Sequence, residues 1–174
     1  HIVTPGLYRL GNPDKDSPVF ASANYTLSFD VLRSALVGRD AWILVLDTNG
    51  INVWCAAGKG TFGTGELIRR IAVTGLADVV AHRKIILPQL GAPGVCAHDV
   101  ARYSGFSVEY GPVRAADLPA YLATHTATAE MRTVRFDLMD RLVLCPMEFV
   151  HFGLYGLIAA IALYFLAGPV AALA

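Results

Sequence analysis

The stretch Asn52-Val53-Trp54-Cys55-Ala56-Ala57-Gly58-Lys59 gathers more chemistry than any other part of the chain. It offers one thiol, a flanking indole, a run of small residues and a lysine four positions after the cysteine. On a helix, residues four apart share a face. The Lys59 ammonium would then favour the thiolate of Cys55, the form that binds metal. A thiolate is a soft donor, suited to a polarizable metal centre. Ala56, Ala57 and Gly58 leave room for a large flat group to approach the backbone. A lone cysteine is also compatible with a small buried hydrophobe, so its setting decides.

The elements around the octapeptide supply that setting. The apolar run Trp42-Ile43-Leu44-Val45-Leu46 is short and bounded by polar residues, which predicts a buried strand closing on Asp47. Ligands of α/β sheets bind outside the carboxyl ends of strands, so the octapeptide stands where chemistry is usually placed. Further strands are predicted over Val19–Ala23, Lys84–Leu87 and Ser107–Tyr110. Helices are predicted over 26–36 with Ser28 as cap, from Thr64 toward Val73, over 97–103 stopping at Gly105, and over 115–123. Alternating strands and helices indicate a Rossmann-like α/β domain with a mostly parallel sheet. The glycine-rich turns at 58–65, 91–94 and 111–112 are expected at its carboxyl edge. The resulting division is an irregular lead-in over 1–18, the α/β domain over 19–130, a connector over 131–151 and an apolar segment over 152–174. The stretch 132–144 has no single period and is left open between helix and strand.

Composition narrows the function classes. Fourteen basic residues balance fourteen acidic ones and no basic block stands out, so nucleic-acid binding lacks electrostatic support. Cys55, Cys96 and Cys145 form no CxxC pair, which argues against a disulfide scaffold and against an iron–sulfur cluster on this chain. The histidines show no zinc spacing. The stretch 152–174 holds no charged residue and could span ~30 Å of hydrocarbon as a helix. It is therefore predicted to cross a membrane, with the preceding arginines favouring a cytoplasmic face for the domain. The chain begins at His1 without an initiator methionine, so it is read as a fragment.

Two nucleotide motifs were weighed. Gly58-Lys59-Gly60-Thr61-Phe62-Gly63 matches G-x-G-x-x-G, with Asp78 twenty residues beyond Gly58. A dinucleotide-binding redox domain would need a strand directly before it. A P-loop is excluded, because Val53 replaces its first glycine and Gly60 its Ser/Thr.

The octapeptide resembles the cap-helix motif of the corrinoid proteins of microbial mercury methylation, the HgcA family. That family is similar to the corrinoid domain of the corrinoid iron–sulfur protein of acetyl-CoA synthesis. Ala23-Asn24-Tyr25-Thr26, Pro88-Gln89-Leu90-Gly91-Ala92-Pro93-Gly94 and Tyr110-Gly111-Pro112-Val113-Arg114 fit the same pattern. The resemblance implies cobalamin or a related corrinoid, with Cys55 as lower axial ligand of its cobalt. It implies further corrinoid contacts at Asn52, Val53, Trp54, Ala56, Ala57, Gly58 and Lys59. Contacts are also implied at Thr48, Thr61, Phe62, Gln89, Leu90, Gly91, Ala92, Gly111 and Pro112. The implied activity is methyl transfer from cobalt to Hg(II), forming methylmercury. The implied partners are a ferredoxin-like iron–sulfur reductant of the HgcB type, a methylated folate-type donor and the inner membrane. The alternative implied function is a corrinoid methyl carrier of the acetyl-CoA pathway type, without mercury chemistry.

Overall fold

The computed structural model describes residues 2–135 and 145–167, and the side chains of 2–135 and 152–166. Two compact units divide the chain, His1–Thr133 and Val134–Ala174.

The first unit is built on a five-stranded sheet: β1 (Gly6–Leu10), β2 (Val19–Ala23), β3 (Ala41–Leu46), β4 (Lys84–Leu87) and β5 (Ser107–Tyr110). The strand order is β1-β3-β2-β4-β5. The four strands from β3 to β5 are parallel, and β1 alone runs antiparallel, against β3. β1 lies within residues 1–18, where the sequence predicts only an irregular lead-in. Its Gly- and Pro-rich surroundings hide a half-buried edge strand, whose register is set by β3 and not by its own residues.

Side-chain alternation splits the core in two. On one face Ala21, Ala23, Leu44, Leu46, Ile85 and Leu87 pack with Leu67, Ile71, Val100 and Phe106. On the other, Phe20, Ile43, Val45 and Ile86 pack with Leu32, Leu36, Leu118 and Tyr121. Helices cover both faces, which is why the central strands are apolar almost throughout. The first face carries α2 (Val53–Lys59), α3 (Thr64–Val73), α4 (Leu76–Val79) and α5 (Ala97–Ser104); the second carries α1 (Thr26–Ala35) and α6 (Leu118–Thr124). A short α7 spans Ala129–Arg132.

Several helix boundaries depart from expectation for local reasons. Tyr25, not Ser28, precedes α1. Gly63 caps α3, because the Thr64 hydroxyl instead accepts the Cys96 N–H at 2.8 Å. The stretch 115–123 begins as a 3-10 turn over Ala115–Asp117 before Pro119 in the first turn of α6. Gly105 ends α5 in the left-handed region, as expected.

The second unit contains α8, Cys145–Ala167. Here the membrane expectation is corrected. Among the described residues, no helix is long and apolar enough to cross a membrane. The helix starts seven residues before position 152, so that its first turns hold Glu148 and His151. Residues 168–174, and 136–144 in the stretch left open above, lie outside the described residues.

Candidate functional site

The parallel strands have a doubly wound order. The chain passes from β2 to β3 on one side, then crosses back to β4 on the other side of β2. That reversal makes β2/β4 the topological switch point, and the crevice outside the carboxyl ends is the expected ligand position. Three segments meet there: the β2–α1 junction at Asn24, the β3–α2 loop, and the 3-10 turn Gln89–Gly91 that follows β4. Helix α2 packs against that 3-10 turn.

The octapeptide is helical from its second residue. Asn52 is the N-cap, and its Oδ1 accepts the Cys55 N–H at 2.9 Å. Gly60, in the left-handed region, ends the helix. Val53, Ala56 and Ala57 are buried beneath it; Asn52, Trp54, Cys55, Gly58 and Lys59 are exposed. Cys55 and Lys59 thus stand one turn apart on the open side, as their spacing predicts. Trp54 leaves 53% of its surface exposed, unusual for an indole in a domain with a well-formed core. A side chain at Gly58 would meet nothing within 4 Å, so the surface beside Cys55 is open.

The loops behind this helix are tightly fitted. A Cβ at Gly94 would strike the carbonyl of Phe62 and the Ala57 backbone. A Cβ at Gly91 would press on the Phe62 ring, which is itself fully buried. Gln89 accepts a hydrogen bond from the Arg132 guanidinium at 3.1 Å and its own N–H donates to the Pro112 carbonyl at 3.3 Å. Tyr110 donates its hydroxyl to the Val95 carbonyl at 2.6 Å. Burial first, and then the nearby Cys96, hold that phenol above its ordinary titration range.

The sequence-predicted residues therefore separate into two sets. Asn52, Trp54, Cys55, Gly58 and Lys59 are open to a ligand, and Thr61, Gln89, Leu90 and Ala92 are partly so. Thr48, Val53, Ala56, Ala57, Phe62, Gly91, Gly111 and Pro112 are buried and support the first set from within. Thr48 is the clearest case. It is fully buried, and its hydroxyl lies 2.7 Å from both Asn24 Oδ1 and the Ile51 carbonyl.

The strand that a dinucleotide site would need before Gly58 is absent. Gly58 lies inside α2, and the glycines after it join two helices. A dinucleotide fingerprint needs its first glycine at the end of a strand. A cavity of about 550 Å³ exists, but at the amino-terminal edge, between Val19, Ala41, Lys84, Glu109, Leu122 and His125. Lys84 and Glu109 pair within it at 3.2 Å, and none of the octapeptide lines it. Among the described residues, no three His, Cys, Asp or Glu side chains converge to hold a metal ion.

The fold and its edge define a doubly wound α/β domain with a cysteine-bearing helix laid across the switch point. A family model for the CO dehydrogenase/acetyl-CoA synthase delta subunit matches residues 2–121. The chain belongs to that family. It is 37% identical over 123 residues to the acetyl-CoA decarbonylase/synthase complex subunit gamma of Methanopyrus kandleri, covering 69% of this chain and 26% of the relative. The subunit gamma of Methanocaldococcus jannaschii is 40% identical over 92 residues, covering 52% of this chain and 19% of the relative. That of Methanothermobacter thermautotrophicus is 31% identical over 122 residues, covering 69% and 26%. The chain spans about a quarter or less of the length of these relatives.

These matches correct the family expected from the octapeptide. Family membership rests on residues 2–121, most of the α/β domain, whereas the most specific part of the mercury-methylation resemblance is the cysteine of the octapeptide. The expected mercury-methylating enzyme, its HgcB-type reductant, the Hg(II) substrate and the folate-type donor system fall with it. The relatives are named as subunits of an acetyl-CoA decarbonylase/synthase complex. The expected inner-membrane location falls with the corrected span.

Proposed function

We propose that this chain is the corrinoid-binding part of a methyl carrier of the acetyl-CoA pathway type, working among the subunits of a larger complex. The observation that supports this reading most directly is the open face of α2. An exposed thiol, an adjacent glycine with free space and an exposed lysine lie together at the switch point. The residues fit the group. A flat macrocycle can lie on this face without meeting a side chain at position 58, and a soft sulfur donor faces it. When bound, the corrinoid supplies a cobalt centre that accepts a methyl group and hands it on.

In this reading the chain's own residues bind and orient. Cys55 would hold the group through its sulfur. Asn52 holds the first turn of α2, so that the thiol keeps one position. Lys59 keeps positive charge one turn away. Gln89, Leu90 and Ala92, partly exposed beside α2, would contact the group's edge, with Gln89 able to exchange hydrogen bonds with amide groups there. Trp54 covers apolar surface beside the ring.

Anaerobic reconstitution of the chain with cobalamin tests this. The expected result is one corrinoid per chain with a cobalt–sulfur signature in its visible spectrum. Cys55→Ser should still take up cobalamin but lose that signature, because a hydroxyl is a harder and weaker donor. Cys96→Ser should keep both properties. An unchanged spectrum in Cys55→Ser, or no uptake by the unsubstituted chain, would overturn the reading.

A further inference from the structure

The β3–α2 loop is a turn held from a different strand. Thr48, Asn49, Gly50 and Ile51 form it, closed by the Ile51 N–H on the Thr48 carbonyl at 3.2 Å. Asn49 and Gly50 have φ of 57° and 72°. Two consecutive left-handed residues make a type I′ turn, the form that Asn-Gly favours. Such a turn sets the direction of the chain locally. It does not set where α2 sits over the sheet.

Asn24, at the end of β2, supplies that second constraint. It is 2% exposed. Its Oδ1 accepts the Thr48 N–H at 3.0 Å, the Gly50 N–H at 2.9 Å and the Thr48 hydroxyl at 2.7 Å. Its Nδ2 donates to Asp47 Oδ1 at 3.3 Å. One buried amide thus holds the first and third residues of the turn, and it directly follows the switch-point strand itself. A buried amide left without partners is destabilising, so the turn and Asn24 hold each other in place. Cys55 follows five residues after Gly50, with Ile51, Asn52, Val53 and Trp54 between.

We propose that Asn24 is the positioning residue for Cys55, fixing the height and direction of α2 relative to the sheet so that the thiol meets the cobalt. This rests on the reading of Cys55 as axial ligand. Asn24 touches no ligand in this scheme. It acts through the turn.

The test uses the full chain with cobalamin. Asn24→Ala should fold, weaken the population of sulfur-ligated corrinoid by about tenfold, and speed amide exchange in Val53–Lys59 while leaving α3 and α5 protected. Asn24→Asp keeps the accepting oxygens but places a carboxylate against Asp47, so it should also lose the signature. Adding Asp47→Asn to it restores a donor facing an acceptor, with the roles exchanged, and should recover the signature. That rescue decides the matter if Asn24→Ala does not fold. Full sulfur ligation in Asn24→Asp, or no recovery in a folded Asn24→Asp/Asp47→Asn chain, overturns the proposal. If the unsubstituted chain shows no cobalt–sulfur signature, the axial reading of Cys55 fails instead. The positioning of α2 then stands or falls on amide exchange, and unchanged α2 protection in Asn24→Ala sinks it.

Discussion

Asn52 accepts the N–H of Cys55 through its side-chain oxygen at 2.9 Å. The residue before the helix thereby fixes the first turn, and the third helical residue carries the thiol. Removing such a cap costs about 1 kcal/mol. In a helix of seven residues that loss should appear as fraying of α2 more than as unfolding of the domain. Asn52→Ala should therefore raise amide exchange at Cys55 and Ala56, with a small drop in Tm. Asn52→Asp and Asn52→Ser should behave like the unsubstituted chain. Equal exchange rates in Asn52→Ala would remove the cap from the account of the site.

Two glycines near the site should respond in opposite ways. Gly58 is a helix-interior glycine with open space, so Gly58→Ala should raise stability by up to about 1 kcal/mol. The same methyl would stand on the open face beside Cys55, so cobalamin affinity should fall while Tm rises. Gly94→Ala should lower Tm, because the added carbon meets backbone atoms of Phe62 and Ala57, and overpacking of this kind costs about 1–3 kcal/mol. Thermal melts and cobalamin titrations on both variants give the comparison. A Gly58→Ala chain that binds cobalamin undiminished would mean that the flat face is elsewhere.

Glu66 ties the end of β3 to α3. Its Oε1 accepts the Asp47 N–H at 2.9 Å and the Arg70 guanidinium at 2.7 Å, while Arg69 takes the other oxygen at 2.8 Å. The Arg70 side chain is 8% exposed, so Glu66→Ala would leave a nearly buried cation unpaired. Breaking a buried pair from one side costs about 3–5 kcal/mol. Urea denaturation should show a lower midpoint of that order for Glu66→Ala and a smaller change for Glu66→Gln, which keeps an accepting oxygen.

Alkaline pH should loosen the second core face through Tyr121. Burial first, then the charge and hydrogen bond of Glu109, raise this phenol above its ordinary value of 10.0. The folded state therefore retains a proton that the unfolded state loses. That stability is fully present below pH 10.0 and declines as pH rises from there through the raised folded value. Tyr121→Phe should flatten this decline and remove one late tyrosinate transition in an absorbance titration. An unchanged alkaline profile in Tyr121→Phe would place the loss on another group, with Tyr110 the first to test.

The amino-acid order by itself determined much of the scaffold. Val19–Ala23, Lys84–Leu87 and Ser107–Tyr110 are strands as their short apolar runs predict, because strands buried on both faces need little context. The helix from the octapeptide and its Cys55–Lys59 face were also legible, since spacing and the Asn52 cap are local properties. Asn49-Gly50 carries its turn signal in its own two residues. What only the tertiary structure decided was pairing and depth. The sheet order places β2 between β3 and β4, and that brings Asn24 against a loop more than twenty residues away. Burial then separated Cys55 and Gly58, which face outward, from Thr48, Phe62 and Gly91, which look equally suited to a ligand in the sequence but lie beneath the surface. Depth depends on which segments cover which, and that is a property of long-range packing. The run of spacing along the chain does not contain it.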